Sequence, residues 1–128
     1  MISFETFLTE VAQYVATTLS TTLAPVGFVY ISKLPPDPDN SVSVILQQGT
    51  ISPNPLVSFS TQILVRSTTY IEGLKRSQSL FDALNNNFNL LSSIKTRTEA
   101  YSTPGNYFLD SNQRYIFPLN FLWRVVYS

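Results

Sequence analysis

The only close pair of carboxylates, Asp37 and Asp39, sits in the run Lys33-Leu34-Pro35-Pro36-Asp37-Pro38-Asp39-Asn40. Paired acids are what general acid–base chemistry or a hard divalent cation requires. A calcium site, however, takes about six to eight oxygens on a loop with a glycine at its bend and a distal glutamate. Asp37-Pro38-Asp39-Asn40 has neither, so the pair reads as a solvated turn closed by Asx hydrogen bonds. Other chemistries close on composition. The 128 residues include no cysteine and no histidine, which removes zinc fingers, thiol nucleophiles, haem ligation through those residues and Ser-His-Asp hydrolases. Gly27, Gly49, Gly73 and Gly105 are isolated from one another, so no glycine-rich loop can cradle a phosphate. A Ser or Thr nucleophile would need Lys33, Lys75, Lys95 or a carboxylate as its base, and no local signature links such a pair. A non-enzymatic protein without cofactor or metal is expected.

Cations are the next candidates. Lys75-Arg76, Lys95 with Arg97, and Arg114 have aromatic residues nearby, as stacking on bases would require. Glu72, Asp82, Glu99 and Asp110 interleave with them, and eight basic residues balance eight acidic ones. Sequence-specific nucleic-acid binding and attraction to an anionic membrane are therefore not expected. Only 12% of residues are charged, about half the usual fraction. The polar surface must then come from Ser, Thr, Asn and Gln, and such a weakly repulsive surface suits association. The start, Met1-Ile2-Ser3-Phe4-Glu5, lacks a positive n-region, and no apolar run approaches a membrane span. A soluble protein is expected.

The elements that must position these residues follow from periodicity. Phe4, Phe7, Leu8, Val11, Val15 and Leu19 recur at helical steps between Phe4 and Leu23, with Ser3 as cap and Pro25 and Gly27 as terminators. Gly27 to Ile31 reads as a short strand before the prolyl loop. Val42, Val44 and Leu46 alternate up to a turn at Gln48-Gly49, with a second rigid excursion at Pro53-Asn54-Pro55. Val57, Phe59, Thr61, Ile63 and Val65 share one face of the clearest strand, and Arg66 falls on the other. Thr69 and Glu72 have capping-box spacing. They open a second helix with the stripe Ile71, Leu74, Phe81, Leu84 and Phe88, slightly weakened at Gly73 and stopped at Asn85-Asn86-Asn87. Ile94, Thr96, Thr98 and Ala100 alternate with Lys95, Arg97, Glu99 and Tyr101, a strand with one polar face. Tyr115 to Tyr127 forms a long last strand that Pro118 assigns to an edge or a bulge.

One domain over residues 1–128 is the size that buries about two thirds of its surface without disulfides. The order of elements predicts an α+β fold, a mostly antiparallel sheet of about five to six strands with two helices packed on one face.

Three stretches carry a family likeness. Tyr30-Ile31-Ser32-Lys33-Leu34-Pro35-Pro36-Asp37-Pro38-Asp39, then Gln62 to Tyr70 running into a helix that ends Phe81-Asp82-Ala83-Leu84, then Asp110 with Arg114-Tyr115 and Asn120-Phe121 resemble the minor capsid and tail terminator proteins of long-tailed bacteriophages. The resemblance spans most of residues 28 to 125. Gln48-Gly49 stands where that family leads one to expect a paired glycine turn, and Pro53-Asn54-Pro55 is extra. The resemblance implies a virion protein of the tail or neck, assembled in the host cytoplasm. It would form a ring, typically a homohexamer, that ends the tail tube and serves head–tail joining, with tail tube protein and head connector or stopper as partners. The subunit-interface candidates are then Lys33, Asp37, Asp39, Lys95, Arg97, Glu99 and Arg114. Another neck protein, such as a head-completion stopper, or a peptide-binding module working through an edge strand are the alternatives.

Overall fold

The computed structural model describes residues 3–51, 56–91 and 95–126. The first helix, α1 (Phe4–Thr18), starts where Ser3 Oγ accepts the Thr6 N–H at 3.2 Å, which satisfies one of the donors that a helix start leaves open. It ends at Thr18 and does not run on to Leu23. Ser20 adopts a left-handed φ of 58°. The Ser20 and Thr21 N–H groups then donate back to the Thr17 and Ala16 carbonyls at 3.1 and 2.9 Å. This is a Schellman closure with serine in the place glycine usually takes.

Among the described residues seven strands form one sheet: β1 (Val29–Ile31), β2 (Ser41–Ile51), β3 (Leu56–Ser67), β4 (Asn87–Phe88), β5 (Lys95–Ala100), β6 (Phe108–Leu109) and β7 (Tyr115–Val126). Their order is β1-β2-β3-β7-β5-β4, with β6 also on β7. Among the described pairings between these strands only β1–β2 is parallel. The α+β, mostly antiparallel expectation holds, with two very short strands added to the count.

Two strand readings change. Gln48-Gly49 does not turn: β2 continues through both residues to Ile51, and the register slips between Leu46 and Gln48 as at a bulge. The Pro53-Asn54-Pro55 excursion lies outside the described residues. Pro118, in turn, sits on a central strand, paired with Leu64 of β3. The Asn120 carbonyl accepts from Tyr101 N–H on the β5 side, and backbone groups two residues apart face the same way. The Pro118 nitrogen therefore looks into the gap between β5, which ends opposite Phe121, and β6, which begins opposite Ile116. A missing donor is harmless there.

Both helices cover the same sheet face. Phe7 of α1 stacks on Phe59 at 4.6 Å and meets Trp123 edge-on at 5.6 Å, and buried Trp123 donates its indole N–H to Thr61 Oγ1 at 2.9 Å. The second helix, α2 (Tyr70–Leu84), is capped by Thr69, whose Oγ1 accepts from Glu72 N–H at 3.3 Å. The other half of the expected capping box is filled locally, the Thr69 N–H donating to Ser67 Oγ. Its inward face is Gly73, Ser77, Leu80 and Leu84. Of the expected stripe, Leu84 is buried, Leu74 and Phe81 are half-buried, and Ile71 is 56% exposed. Small residues displace the larger ones because they let the backbone approach Phe117. A Cβ on Gly73 would lie 2.3 Å from Phe117 Cε1.

Candidate functional site

Parallel strands need a crossover, and residues 32–40 supply it without a helix, as a proline strap from β1 back to the start of β2. Prolines contribute carbonyls without donors, so the strap must be held by donors from elsewhere. Two buried arginines do this. Arg66, at the end of β3, donates from Nε to the Asp39 carbonyl at 3.1 Å and from Nη2 to the Pro38 carbonyl at 2.6 Å. Arg114, just before β7, donates from Nη1 to the Pro36 carbonyl at 2.7 Å and to Asp39 Oδ1 at 3.2 Å. Its Nε reaches Asp110 Oδ2 at 2.8 Å. Ser41 Oγ donates to the Pro38 carbonyl at 2.6 Å, and Asn40 Oδ1 accepts from Thr68 N–H at 3.4 Å and Arg76 Nη1 at 3.5 Å.

The electrostatics follow from this packing. The Arg114 backbone N–H, then its guanidinium and the Asn112 N–H, hold the Asp110 carboxyl below the usual carboxylate range. Burial, and after it the nearby Arg114 charge, lower the Arg66 pKa, while Asp110, Asp39 and Asp37 oppose the shift. Arg66 stays charged all the same. Fixed cations bonded to carbonyls and carboxylates make a clamp. The acids serve it: Asp39 turns to Arg114, and no group of three or more metal-ligating side chains occurs among the described residues.

The residues singled out in the sequence divide between the two ends of the sheet. Lys33 and Asp37 are exposed on the strap, beside the β1 edge. Asp39 joins them with its side chain 59% exposed while it pairs with Arg114. Arg114 was expected among exposed contact residues, but its side chain is only 9% exposed and its charge is directed inward to the strap and Asp110. It is an internal anchor. Arg97 and Glu99 lie on β5, toward the opposite edge, which β4 forms. Arg97 Nε is 3.8 Å from Glu99 Oε1, and Arg124 of β7 bonds the same carboxylate. The Arg97 guanidinium rests over the Phe88 ring, 5.6 Å from its centroid. Lys95 opens β5 opposite Val126, and its side chain lies outside the described part of the structure.

Two features escaped the sequence reading. Arg66 was assigned to the second face of its strand with no role, and there the strap covers it; the signal for it is the surplus of carbonyls in a run with three prolines. The second is an aromatic cluster in which Tyr70 and Tyr107 meet at 5.3 Å and both approach Tyr115, at 6.0 and 5.4 Å. Exposed Ile71, Phe108 and Leu109 adjoin these residues in the chain. Beside the β1 edge lies a cavity of about 510 Å³, lined by residues including Leu23, Val29, Ile31, Leu34 and Pro35. Compared with known proteins, the chain matches no protein-family model and no curated protein.

Proposed function

We propose that this chain is a structural subunit of a tailed-phage virion, forming a ring that ends the tail tube and serves head–tail joining. The observation that carries the reading is the distribution of its association surfaces. Charged and apolar groups are exposed at both ends of one sheet, at the β1 edge with Lys33, Asp37 and the cavity, and at the β4 edge with Phe88 and Arg97. A subunit with different surfaces on opposite sides makes head-to-tail contacts, and these close into rings when the rotation between copies allows. The clamp formed by Arg66 and Arg114 keeps one of those surfaces in shape before assembly, which limits the ordering cost of each contact. The likeness of residues 28 to 125 to tail terminators points the same way.

The sheet face away from the helices adds a broad surface of half-buried Ser60, Gln62, Leu64, Asn120 and Leu122, mixed enough to meet another protein without being an aggregation hazard. A second reading, a peptide-binding module, is favoured by the cavity beside the short β1 edge. Tails assembled in cells that lack this protein separate the two. A terminator leaves tails of irregular length that do not join heads; tails of normal length that join heads count against the ring reading.

A further inference from the structure

We infer that residues 32–35 form a lid on the cavity beside β1, hinged at Ser32 and stopped at Pro36, which lifts while the rest of the strap stays pinned. Both ends of this short segment are fixed. On one side Ile31 is paired with Val44 in the parallel ladder. On the other, the Pro36 carbonyl accepts from buried Arg114 at 2.7 Å, and the Pro38 and Asp39 carbonyls accept from buried Arg66 at 2.6 and 3.1 Å. Nothing comparable holds the chain between these points. Among the described residues, no hydrogen bond or ion pair engages Lys33, Leu34 or Pro35. What keeps the segment down is apolar contact: Leu34 and Pro35 are half-buried and share the lining of the 510 Å³ cavity with Leu23, Val29 and Ile31.

The hinge is strained. The crossover from β1 to β2 uses only residues 32–40, where parallel strands ordinarily need about a dozen or more. Its first bend falls on Ser32, at a φ of 152°. Glycine takes such a conformation at little cost, as Gly105 does at 134°, but a residue with a side chain is penalised there. Strain of this kind persists only where the surroundings enforce it. Here the pinned ends and the seat of Leu34 on the cavity wall enforce it together. Lifting relaxes Ser32 and gives up the contact of Leu34. The two terms are of the same order, so both positions are populated. The lid thus sets when the apolar wall at the β1 edge is accessible, while the clamped half, with Asp37 and Asp39, keeps its place.

The chain has no cysteine, so a single introduced thiol reports the lid. In full-length chains, each checked for native-like melting, a soluble thiol reagent is used to label Leu34→Cys. The references are Lys33→Cys, at an exposed position, and Ser43→Cys, at a fully buried one whose Oγ has no partner to lose. Leu34→Cys should react about fivefold or more slowly than Lys33→Cys, and far faster than Ser43→Cys. Low urea should speed only Ser43→Cys, because the lid opens locally. Adding Ser32→Gly, which removes the strain of the lowered lid, should slow labelling of Leu34→Cys about tenfold. Adding Ser32→Val should speed it, and neither change should move Lys33→Cys by more than about twofold. If valine at this position unfolds the chain, the glycine variant decides alone. Three outcomes overturn the inference: Leu34→Cys as reactive as Lys33→Cys, Leu34→Cys as slow and as urea-dependent as Ser43→Cys, or a rate at Leu34→Cys that ignores Ser32→Gly.

Discussion

Replacing Gly73 with alanine sets helix propensity directly against packing. Within a helix the exchange gains about 1 kcal/mol, because glycine loses more backbone freedom on folding. In this structure the added Cβ would lie 2.3 Å from Cε1 and 2.8 Å from Cδ1 of Phe117. Ordinary carbon contacts are at about 3.5–4.0 Å, so ring and helix must part by about 1 Å or more. The Phe117 ring is fully buried and lies against Tyr70 at 5.7 Å and Tyr107 at 5.8 Å, which blocks an easy retreat. Overpacking of this kind costs about 1–3 kcal/mol, and the short distance places it toward the upper end. The net expectation is a loss of about 1–2 kcal/mol once the propensity gain is included. In urea unfolding the midpoint should fall by roughly 0.5–1 M with an unchanged slope. Ser79→Ala, exposed on the same helix, is the control and should stay within about 0.5 kcal/mol of the parent. A Gly73→Ala protein as stable as the parent, or more so, would refute the close approach of α2 to β7.

Further expectations follow from the same contacts. Leu84→Ala should cost about 2–5 kcal/mol as a cavity in the core, and a loss below about 0.5 kcal/mol in chemical denaturation would show that Leu84 is not core. Arg66→Met removes charged donors from the Pro38 and Asp39 carbonyls; a loss of about 2–3 kcal/mol is expected, together with faster proteolysis within residues 33–40, and unchanged cleavage would contradict the clamp. Asp110 titrates at lower pH in the folded chain than in the unfolded one, so its contribution is complete above the ordinary carboxylate range and is lost as pH falls through that range toward the lowered value. Melting temperatures of Asp110→Asn and parent should accordingly differ most near neutral pH and converge in acid; a gap that widens in acid would reverse the assignment.

Much of this architecture is legible in residue order because it is local. Ser3 and Thr69 cap the helices from which they precede, and the alternation from Phe59 to Val65 identifies the inward face of β3 without any partner in view. What escaped depends on other parts of the chain. A count of apolar residues puts Ile71 and Phe88 inside and treats Gly73 as a defect, since it has no knowledge of Phe117 across the interface. Pro118 looks like an edge residue until the break between β5 and β6 is known. Arg66 and Arg114 look like surface charges until the strap crosses them. For the candidate site, the charged residues were visible in the sequence, but their division between opposite sheet edges follows only from a strand order that puts the early β1 and the later β4 at its two ends.

The place of the protein in an assembled particle is the most direct test. Purified tails, labelled with an antibody against this chain and imaged by electron microscopy, should carry the label as a ring at the head-proximal end and nowhere along the tube. Label spread along the tube, label at the distal tip, or tails without this protein that still stop at normal length and join heads would contradict the account.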